Sequence, residues 1–445
     1  MNNLSARLAR YSESLSAQDS IHVDGRVTQV IGMVIEASLP QGTLGDICNI
    51  TTRSGSTIRS EIVGFKRGKV LLMPLAETLG IFPGSRVTLS PTPLTVAAGE
   101  SLLGRILDGL GNPIDGKGPL QTTHQAPVYN TPPNPLKRRR IKEPLATGVR
   151  AVDGLLTLGK GQRVGIFAGS GVGKSVLLGM MARYTTADVN VIALIGERGR
   201  EVRDFIESNL RADGLARSIL VVATSDQAAM VRIKGALIAT AMAESFRAQG
   251  KNVLLLMDSL TRVAMAQREI GLAVGEPPTA KGYTPSVFSL LPQLLERAGT
   301  DEKGSITGLY TVLVEGDDMD EPISDASRAI LDGHIVLSRK LATRNHYPAI
   351  DVLESVSRLK NEIITPDHNE QAGEMLELLA SYRDSEDLIN IGAYTKGSNP
   401  RVDRAIKYLD QMQTFLRQDM GENTSFAETK SRMASMFTRE GQTTP

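Results

Sequence analysis

The stretch FAGSGVGKS, Phe167 to Ser175, decides the fold of this chain. It follows a strand-forming run, QRVGIFA, and leads into a run with helical periodicity, SVLLGMMARY. A glycine-rich turn that ends in GKS at the start of a helix is typical of a phosphate-binding loop, because its backbone N–H groups can surround phosphate oxygens. An ordinary tight turn is the alternative, and the GKS sequence disfavours it. We therefore predict a nucleotide site at this turn.

The loop departs from the strict pattern G-x-x-x-x-G-K-[ST] at one position, where Ala168 replaces the first glycine. A methyl group is tolerated there if φ is negative, as at the end of a strand. The three remaining glycines permit positive φ and keep the backbone accessible. Lys174 is predicted to reach the β and γ phosphates, and the Ser175 hydroxyl to bind Mg²⁺. The predicted nucleotide-binding residues of the loop are Ala168, Gly169, Ser170, Gly171, Val172, Gly173, Lys174 and Ser175.

Strand-like and helical runs alternate from about residue 147 to residue 358. The strand-like runs are QRVGIFA, NVIALIG, SILVVAT, NVLLLMD, ITGLYTVLVEG and HIVLS. Continuous apolar strands separated by helices indicate a parallel sheet that is buried on both faces. The predicted fold class is therefore α/β, with the phosphate-binding loop on a parallel sheet.

Two acidic residues follow strands of this predicted sheet. Asp258 ends NVLLLMD, which is the arrangement of an acid that holds Mg²⁺, although such an Asp is more commonly a helix cap, here with Ser259. Glu197 follows NVIALIG, where a carboxylate can orient and polarise an attacking water. A surface salt bridge is the alternative for Glu197, since three arginines lie close by in the sequence.

The rest of the chain divides into three further regions. Five or so short β-prone runs between residues 25 and 91 indicate a small closed barrel. A linker rich in Gly and Pro follows, and its KRRR run is interpreted as a linker contact or a solvated face. The last eighty residues have helical periodicity. The predicted boundaries are 1–20 for an N-terminal docking segment, 21–92 for the barrel, 93–365 for the α/β domain that carries the nucleotide site, with its linker, and 366–445 for a helical domain.

The first twenty residues place Leu4, Leu8, Tyr11 and Leu15 at helical spacing. One interpretation is a frayed terminus or a cap on the next domain, because so short a helix is marginal in water. The other is an amphipathic segment that docks on a partner or on a membrane surface.

Composition excludes several classes of protein. Lys and Arg number 50 against 49 Asp and Glu, and aromatic residues make up 4% with no Trp, so no nucleic-acid partner is expected. The longest apolar runs fall far short of the roughly 20 residues that a membrane-spanning helix requires. The N-terminus lacks a secretory signal and Cys48 is the single cysteine, so we expect a cytoplasmic protein. The acidic run GDDMDEP lacks the ligand spacing of an EF-hand, so no calcium site is predicted.

Several long motifs in fixed order carry a family resemblance. They are AGSGVGKS, GERGREVRDF, VLLLMDSLTRVAMAQREIGLAVGEPPTAKGYTPSVF, GSITGLYTVLVEGDDMDEPI, LDGHIVLSRKLA and HYPAIDVLESVSR. Over residues 25 to 398 the chain resembles the type III export ATPases, which are related to the β subunit of F-type ATP synthase. Within that family it looks most like the flagellar branch, and the virulence branch remains open. The acidic helix-turn motif of the synthase β subunit is missing, so the resemblance does not extend to rotor coupling.

The resemblance implies a small β-barrel, a RecA-like ATPase domain and a C-terminal helical domain, assembled as a homohexamer that binds ATP and Mg²⁺. It implies that the ring lies at the inner face of the cytoplasmic membrane, under an export gate. Implied partners are export substrates with their chaperones, a regulatory or stator protein at the N-terminal helix, and a central stalk protein near Asp317 and Asp318.

The resemblance also implies roles for individual residues. Glu197 would be the catalytic carboxylate, supported by Lys174, while Glu201 and Asp258 would be outer Mg²⁺ or water contacts. Two arginines would also be catalytic: Arg262 as a γ-phosphate contact, and Arg358 as the arginine that reaches into the neighbouring subunit's site to neutralise transition-state charge. Tyr347 would pack on the adenine.

Three rival functions stay open on the sequence alone. One is a subunit of a synthase or a vacuolar-type rotary ATPase, which would need an alternating partner subunit. Another is a nucleic-acid translocase of the Rho helicase type, which neutral charge and scarce aromatics disfavour. The last is a nucleotide-gated assembly scaffold that binds ATP without turnover.

Overall fold

The computed structural model of the protein describes residues 24–437, apart from residues 91, 123, 315 and 317. The predicted docking segment 1–20 and the predicted stalk contact Asp317 lie outside the described residues. Two compact units are present. One runs to Leu94 and includes Ala273–Gly275, and the other comprises Thr95–Leu272 and the chain from Glu276 onward.

The first unit contains a closed six-stranded barrel in the order β1-β2-β5-β4-β3-β6. The strands are β1 (Asp24–Ile31), β2 (Val34–Ser38), β3 (Ile47–Thr51), β4 (Thr57–Lys66), β5 (Lys69–Pro74) and β6 (Arg86–Leu89). Alternate residues such as Ile35, Ile50 and Leu72 are fully buried, because successive side chains point to opposite faces of a strand. The predicted small barrel is confirmed, with six strands rather than about five.

A linker leads into the second unit through β7 (Thr95–Ala97), β8 (Ile106–Asp108), β9 (Gln125–Pro127), β10 (Pro144–Leu145), helix α1 (Arg150–Leu155) and β11 (Leu158–Gly159). The KRRR run makes linker contacts. Arg138 donates to the carbonyl oxygen of Ala298 at 2.7 Å, and Arg139 donates to those of Asp301 and Lys303 at 3.1 and 2.8 Å. Both guanidinium groups donate to backbone carbonyl oxygens that follow a helix of the second unit. These hydrogen bonds hold the linker in place.

The second unit is built on a nine-stranded sheet, in the order β19-β18-β12-β17-β15-β13-β14-β8, with β16 also paired to β17. Its further elements, in chain order, are β12 (Arg163–Ala168), α2 (Lys174–Tyr184), β13 (Val189–Ile195), α3 (Gly199–Asp204), a π-helical turn (Phe205–Leu210), α4 (Arg211–Ala216), β14 (Ser218–Ala223), α5 (Ala229–Ala248), β15 (Asn252–Asp258), α6 (Leu260–Val274), α7 (Pro285–Glu296), β16 (Gly299–Thr300), β17 (Ser305–Leu313), α8 (Pro322–Ile330), β18 (Gly333–Leu337), α9 (Arg339–Thr343), β19 (Ile350–Ser357) and α10 (Lys360–Ile363).

All six predicted strands are present and run parallel. Five of them are buried on both faces, as their continuous apolar sequences require, whereas His334 and Val336 of β18 are half-buried. Three strands of this sheet were not predicted: β8, β19 and the two-residue β16, which pairs antiparallel with β17. β8 comes from the linker and pairs in parallel with β14 at one edge of the sheet, and β19 pairs antiparallel with β18 at the other.

Three helices complete the described chain: α11 (Pro366–Asn390), α12 (Pro400–Leu416) and α13 (Phe426–Met436). Two begin with proline, whose missing N–H costs nothing in the first turn. The side chain of Asn399 accepts from the backbone N–H of Arg401 at the start of α12, and Ser425 does the same for Glu428 in α13. The helices pack against α1 and share its core. Within the described part of the chain, no helix has the length and apolar character needed to cross a membrane.

Candidate nucleotide site

The predicted phosphate-binding loop lies at the carboxyl end of β12, in the middle of the sheet, and leads directly into α2. Gly171 and Gly173 have φ of 77° and 89°, values that an L side chain rarely adopts, so glycine is required at both. Ala168 is the last residue of β12, and its φ is not positive. The departure at the first loop position is therefore compatible with the loop geometry. Val172 is buried, so only its backbone can face a ligand.

Two carboxylates meet the loop lysine. Lys174 Nζ lies 2.5 Å from Asp258 Oδ1 and 3.4 Å from Glu197 Oε1. β15 and β13 are adjacent parallel strands, and Asp258 pairs with Leu194. Because parallel strands end at the same edge of the sheet, both acids lie at the edge that carries the loop. Thr311, on β17, donates to Asp258 Oδ1 at 2.7 Å and fixes that carboxylate.

The electrostatics of this group follow from burial and proximity. Burial disfavours the charged form of Lys174, but the charges of Asp258 and Glu197 outweigh it, and the pKa of Lys174 is raised. Burial raises the pKa of Glu197 to about 7; Lys174 opposes this shift, and the negative charges of Asp258 and Glu201 add to it. A hydrogen bond from Glu197 lowers the pKa of Glu201. Of the two glutamates, Glu197 is therefore the one that is more readily protonated.

Arg262 supplies a further cation next to Gly196, the residue before Glu197. It lies in the first turn of α6, four residues after Asp258, and its Nε has no hydrogen-bond partner within the described chain. Its guanidinium contacts Met265 Sδ at 3.9 Å. Gly196 makes room for it, since a Cβ at that position would lie 2.7 Å from the Cβ of Arg262. A buried guanidinium Nε that lacks a partner in the described part of the chain is suited to an anionic ligand.

Tyr347 lies beside the loop. A Cβ on Gly173 would lie 3.3 Å from the Tyr347 ring, and 42% of the tyrosine is exposed. Both residues line a cavity of about 700 Å³, together with Val176 and Met180 of α2 and a loop at residues 417–422. The structure thus brings the predicted adenine contact to the mouth of the predicted phosphate site. Nothing in the sequence had indicated the contribution of the loop 417–422.

Arg358 lies far from its own phosphate-binding loop. Ser357 pairs with Gly333 at the start of β18, whereas Ala168 pairs with Leu337 at its end. The two ends of β18 are four residues apart, which corresponds to roughly 13 Å along the strand. The exposed Arg358 donates to the backbone oxygen of Arg328 at 3.1 Å. It is the one predicted catalytic residue that the single chain does not bring to the site.

Two other predicted residues lie at the surface. Glu201 is half exposed and lies 3.8 Å from Arg198. Asp318 pairs with Lys281 at 3.3 Å, and each side chain is about half exposed. The second of these contacts joins the acidic run GDDMDEP to the loop after α6.

A glycine loop on a parallel sheet, with a lysine held between acids from neighbouring strands, defines a P-loop nucleotide hydrolase of the RecA-like class. Comparison with known proteins gives the family. Three family models match: ATP synthase alpha/beta family, beta-barrel domain, at residues 27–90; ATP synthase alpha/beta family, nucleotide-binding domain, at residues 148–357; and T3SS EscN ATPase C-terminal domain, at residues 364–435. The chain belongs to the type III export ATPases of the ATP synthase alpha/beta family, and it is an ATPase.

The similarity extends over nearly the whole chain. A flagellum-specific ATP synthase of Bacillus subtilis is 53% identical over 96% of this chain and 98% of its own length. A type 3 secretion system ATPase of Xanthomonas euvesicatoria is 51% identical, covering 93% of each chain. Among solved structures, the assembled ATPase EscN of enteropathogenic E. coli has a TM-score of 0.88 at 45% identity, over 93% of this chain and 99% of that one. The predicted resemblance, fold class and enzyme class are confirmed.

Proposed function

We propose that this chain hydrolyses ATP with Mg²⁺ as a homohexameric ring that promotes export of flagellar proteins through a type III apparatus, with a virulence apparatus as the alternative. The observation that carries the chemistry is the contact of Lys174 with Asp258 and Glu197. The assembled form of EscN, a structural relative, supports the ring. Both flagellar and type 3 secretion relatives support the export role.

The side chains at the site fit a magnesium nucleotide. Ser175, Asp258 and Glu201 offer the hard oxygen donors that Mg²⁺ prefers. The unpartnered Nε of Arg262 indicates that an anion belongs beside it. Mg²⁺, when bound, would neutralise charge on the phosphates and help to order them.

The residues of the chain then have distinct tasks in hydrolysis. Lys174 leaves its internal carboxylate partners for phosphate oxygens, and the backbone N–H groups of residues 169–175 surround them. Glu197, once ionised, accepts a hydrogen bond from water and orients it for in-line attack on the γ phosphorus. Arg262 stabilises the charge that builds on the γ-phosphoryl oxygens. Tyr347 packs on the base.

Arg358 completes this site in a neighbouring copy. Its position, roughly 13 Å along the strands from its own phosphate-binding loop, argues against a contact with the nucleotide of its own chain. In a closed ring, each interface repeats the same contact, so one arginine can serve each neighbouring site. Arginine supplied in trans is a general device for stabilising phosphoryl transfer.

The surroundings of the ring are proposed from the same relatives. EscN has also been solved with its central stalk EscO, at a TM-score of 0.86 with this chain. We infer that a stalk protein contacts the ring near Asp317 and Asp318, and that a stator protein binds the N-terminal segment. The ring would lie in the cytoplasm, against the membrane-embedded export gate, where substrates and chaperones arrive. Loss of swimming on deletion of the gene, with normal virulence export, would establish the flagellar assignment.

Purified variants test the chemical assignment. Lys174→Ala and Glu197→Gln should each abolish ATP turnover, because one removes the phosphate contact and the other the carboxylate that orients water. Lys160→Ala and Glu207→Gln are matched controls in ion pairs away from the site, and both should hydrolyse ATP normally. Near-normal turnover by Lys174→Ala or Glu197→Gln would show that the site is misassigned.

A further inference from the structure

The loop at residues 417–422, between α12 and α13, forms one wall of the cavity beside Tyr347. The P-loop helix α2 forms another wall, and the turn at Tyr347 and Pro348 forms the third. A polar loop of six residues is mobile by default, because few buried contacts offset its conformational entropy. This loop is different, since buried donors and acceptors fix it along its length.

Gln418 is the central contact of the loop and is 5% exposed. Its Oε1 accepts from the backbone N–H of Arg150 at 2.8 Å, and its Nε2 donates to the carbonyl oxygens of Gly148 and Glu422 at 2.7 and 2.9 Å. Its backbone N–H donates to the carbonyl oxygen of Tyr347 at 2.9 Å. One residue therefore joins the loop to the start of α1, closes the loop on itself, and ties it to the turn that carries the predicted base contact.

Two buried arginines support the same loop. Arg150, 3% exposed, donates to the carbonyl oxygen of Phe415 at 2.9 Å and to Thr424 Oγ1 at 3.1 Å, and also contacts Glu422 and the carbonyl oxygen of Arg417. Carbonyl groups at the end of α12, which lack partners within the helix, are satisfied in this way. Arg183, near the end of α2, donates to the carbonyl oxygen of Met420. The helix that binds phosphate at its first turn thus contacts the loop at its last.

We propose that Gln418, acting with Arg150, is a positioning residue that holds the loop 417–422 against Tyr347 and so sets the affinity for the adenine base. This inference rests on the proposed nucleotide site and deepens it. A wall that is fixed in advance lowers the entropy lost on binding, so base affinity depends on these hydrogen bonds. Neither side chain contacts the residues proposed for phosphate chemistry, so the hydrolytic step does not depend on them.

The test distinguishes binding of the adenine base from binding of the phosphates. Affinities for ATP, ADP and inorganic tripolyphosphate, each with Mg²⁺, are measured by titration calorimetry, together with KM and kcat for ATP. Gln418→Ala should weaken ATP and ADP binding and raise KM about tenfold, which corresponds to the loss of one or two buried hydrogen bonds. Its kcat and its affinity for tripolyphosphate should stay within about twofold to threefold of wild type. The exposed Gln411, on α12, provides the control variant Gln411→Ala, which should behave as wild type.

A second variant provides the same test if Gln418→Ala does not fold. Gln418→Asn keeps a neutral amide with both its donor and its acceptor, one methylene shorter, so it should raise KM for ATP by a smaller factor. Equal weakening of ATP and tripolyphosphate in the folded variant, or no weakening of either, would overturn the role of Gln418. Failure of the wild-type protein to bind tripolyphosphate would instead overturn the phosphate site itself.

Discussion

The raised pKa of Glu197 predicts how the rate of hydrolysis depends on pH. Burial raises this pKa from its ordinary value of 4.5 to about 7. Glu197 must be ionised to accept a hydrogen bond from the attacking water, so activity is lost as the pH falls through about 7. At pH 6, a group with a pKa of about 7 is only about one-tenth ionised, so kcat/KM should fall about tenfold below its plateau. A carboxyl with an ordinary pKa would stay almost fully ionised at that pH.

The assay is steady-state kcat/KM for magnesium ATP between about pH 5.5 and pH 8.5 at constant ionic strength, because kcat/KM reports groups of the free enzyme. Glu201→Gln removes a negative charge that raises the pKa of Glu197, so it should move the acidic limb to lower pH. A wild-type profile that stays flat down to pH 5.5 would refute the burial argument. An unchanged limb in Glu201→Gln would refute the coupling of the two glutamates.

Three further changes test other parts of the structure. Ala168→Gly should leave turnover within a few fold of wild type, because the strand end already accommodates the methyl group; a large change in kcat would contradict this. Gly173→Ala should weaken ATP binding about tenfold or more in calorimetry, since φ of 89° costs an L residue about 1–2 kcal/mol and the added methyl meets the Tyr347 ring. Glu244→Ala should lower the free energy of unfolding by about 3–5 kcal/mol, because it leaves Arg297 charged and buried without its bidentate partner. The exposed ion-pair variant Arg203→Ala is the control in the same denaturation experiment and should not change the midpoint, and an equal loss in both variants would contradict the burial argument.

The central part of the fold was predictable from the sequence because its signals are local. Each of the six predicted strands is a continuous apolar run, and the loop between Phe167 and Ser175 joins one of them to a helix. The edge strands carry weaker signals. β8 is three residues long and lies among glycines of the linker, and β19 carries polar residues such as Asp351 and Glu354, as an exposed edge permits.

The phosphate end of the candidate site was likewise easier to predict from the sequence than the end that is proposed to hold the base. Lys174 begins a helix, Asp258 ends a strand and Glu197 lies two residues after a strand, so their convergence follows from the parallel sheet. The wall at Gln418 could not be predicted, because its partner Arg150 is 268 residues away and a polar loop has no periodicity to read. The role of Arg358 came from family resemblance alone, since a contact between copies leaves no pattern within one chain.

The central claim is that Arg358 of one copy completes the site of the next, and mixed rings test it most directly. Neither Arg358→Ala nor Glu197→Gln alone should hydrolyse ATP at more than a trace of the wild-type rate. In a ring assembled from equal amounts of both variants, about one-quarter of the sites combine an intact Glu197 with a neighbour's intact Arg358, so activity should return to about one-quarter of wild type. No recovery in rings shown to contain both chains would contradict the account.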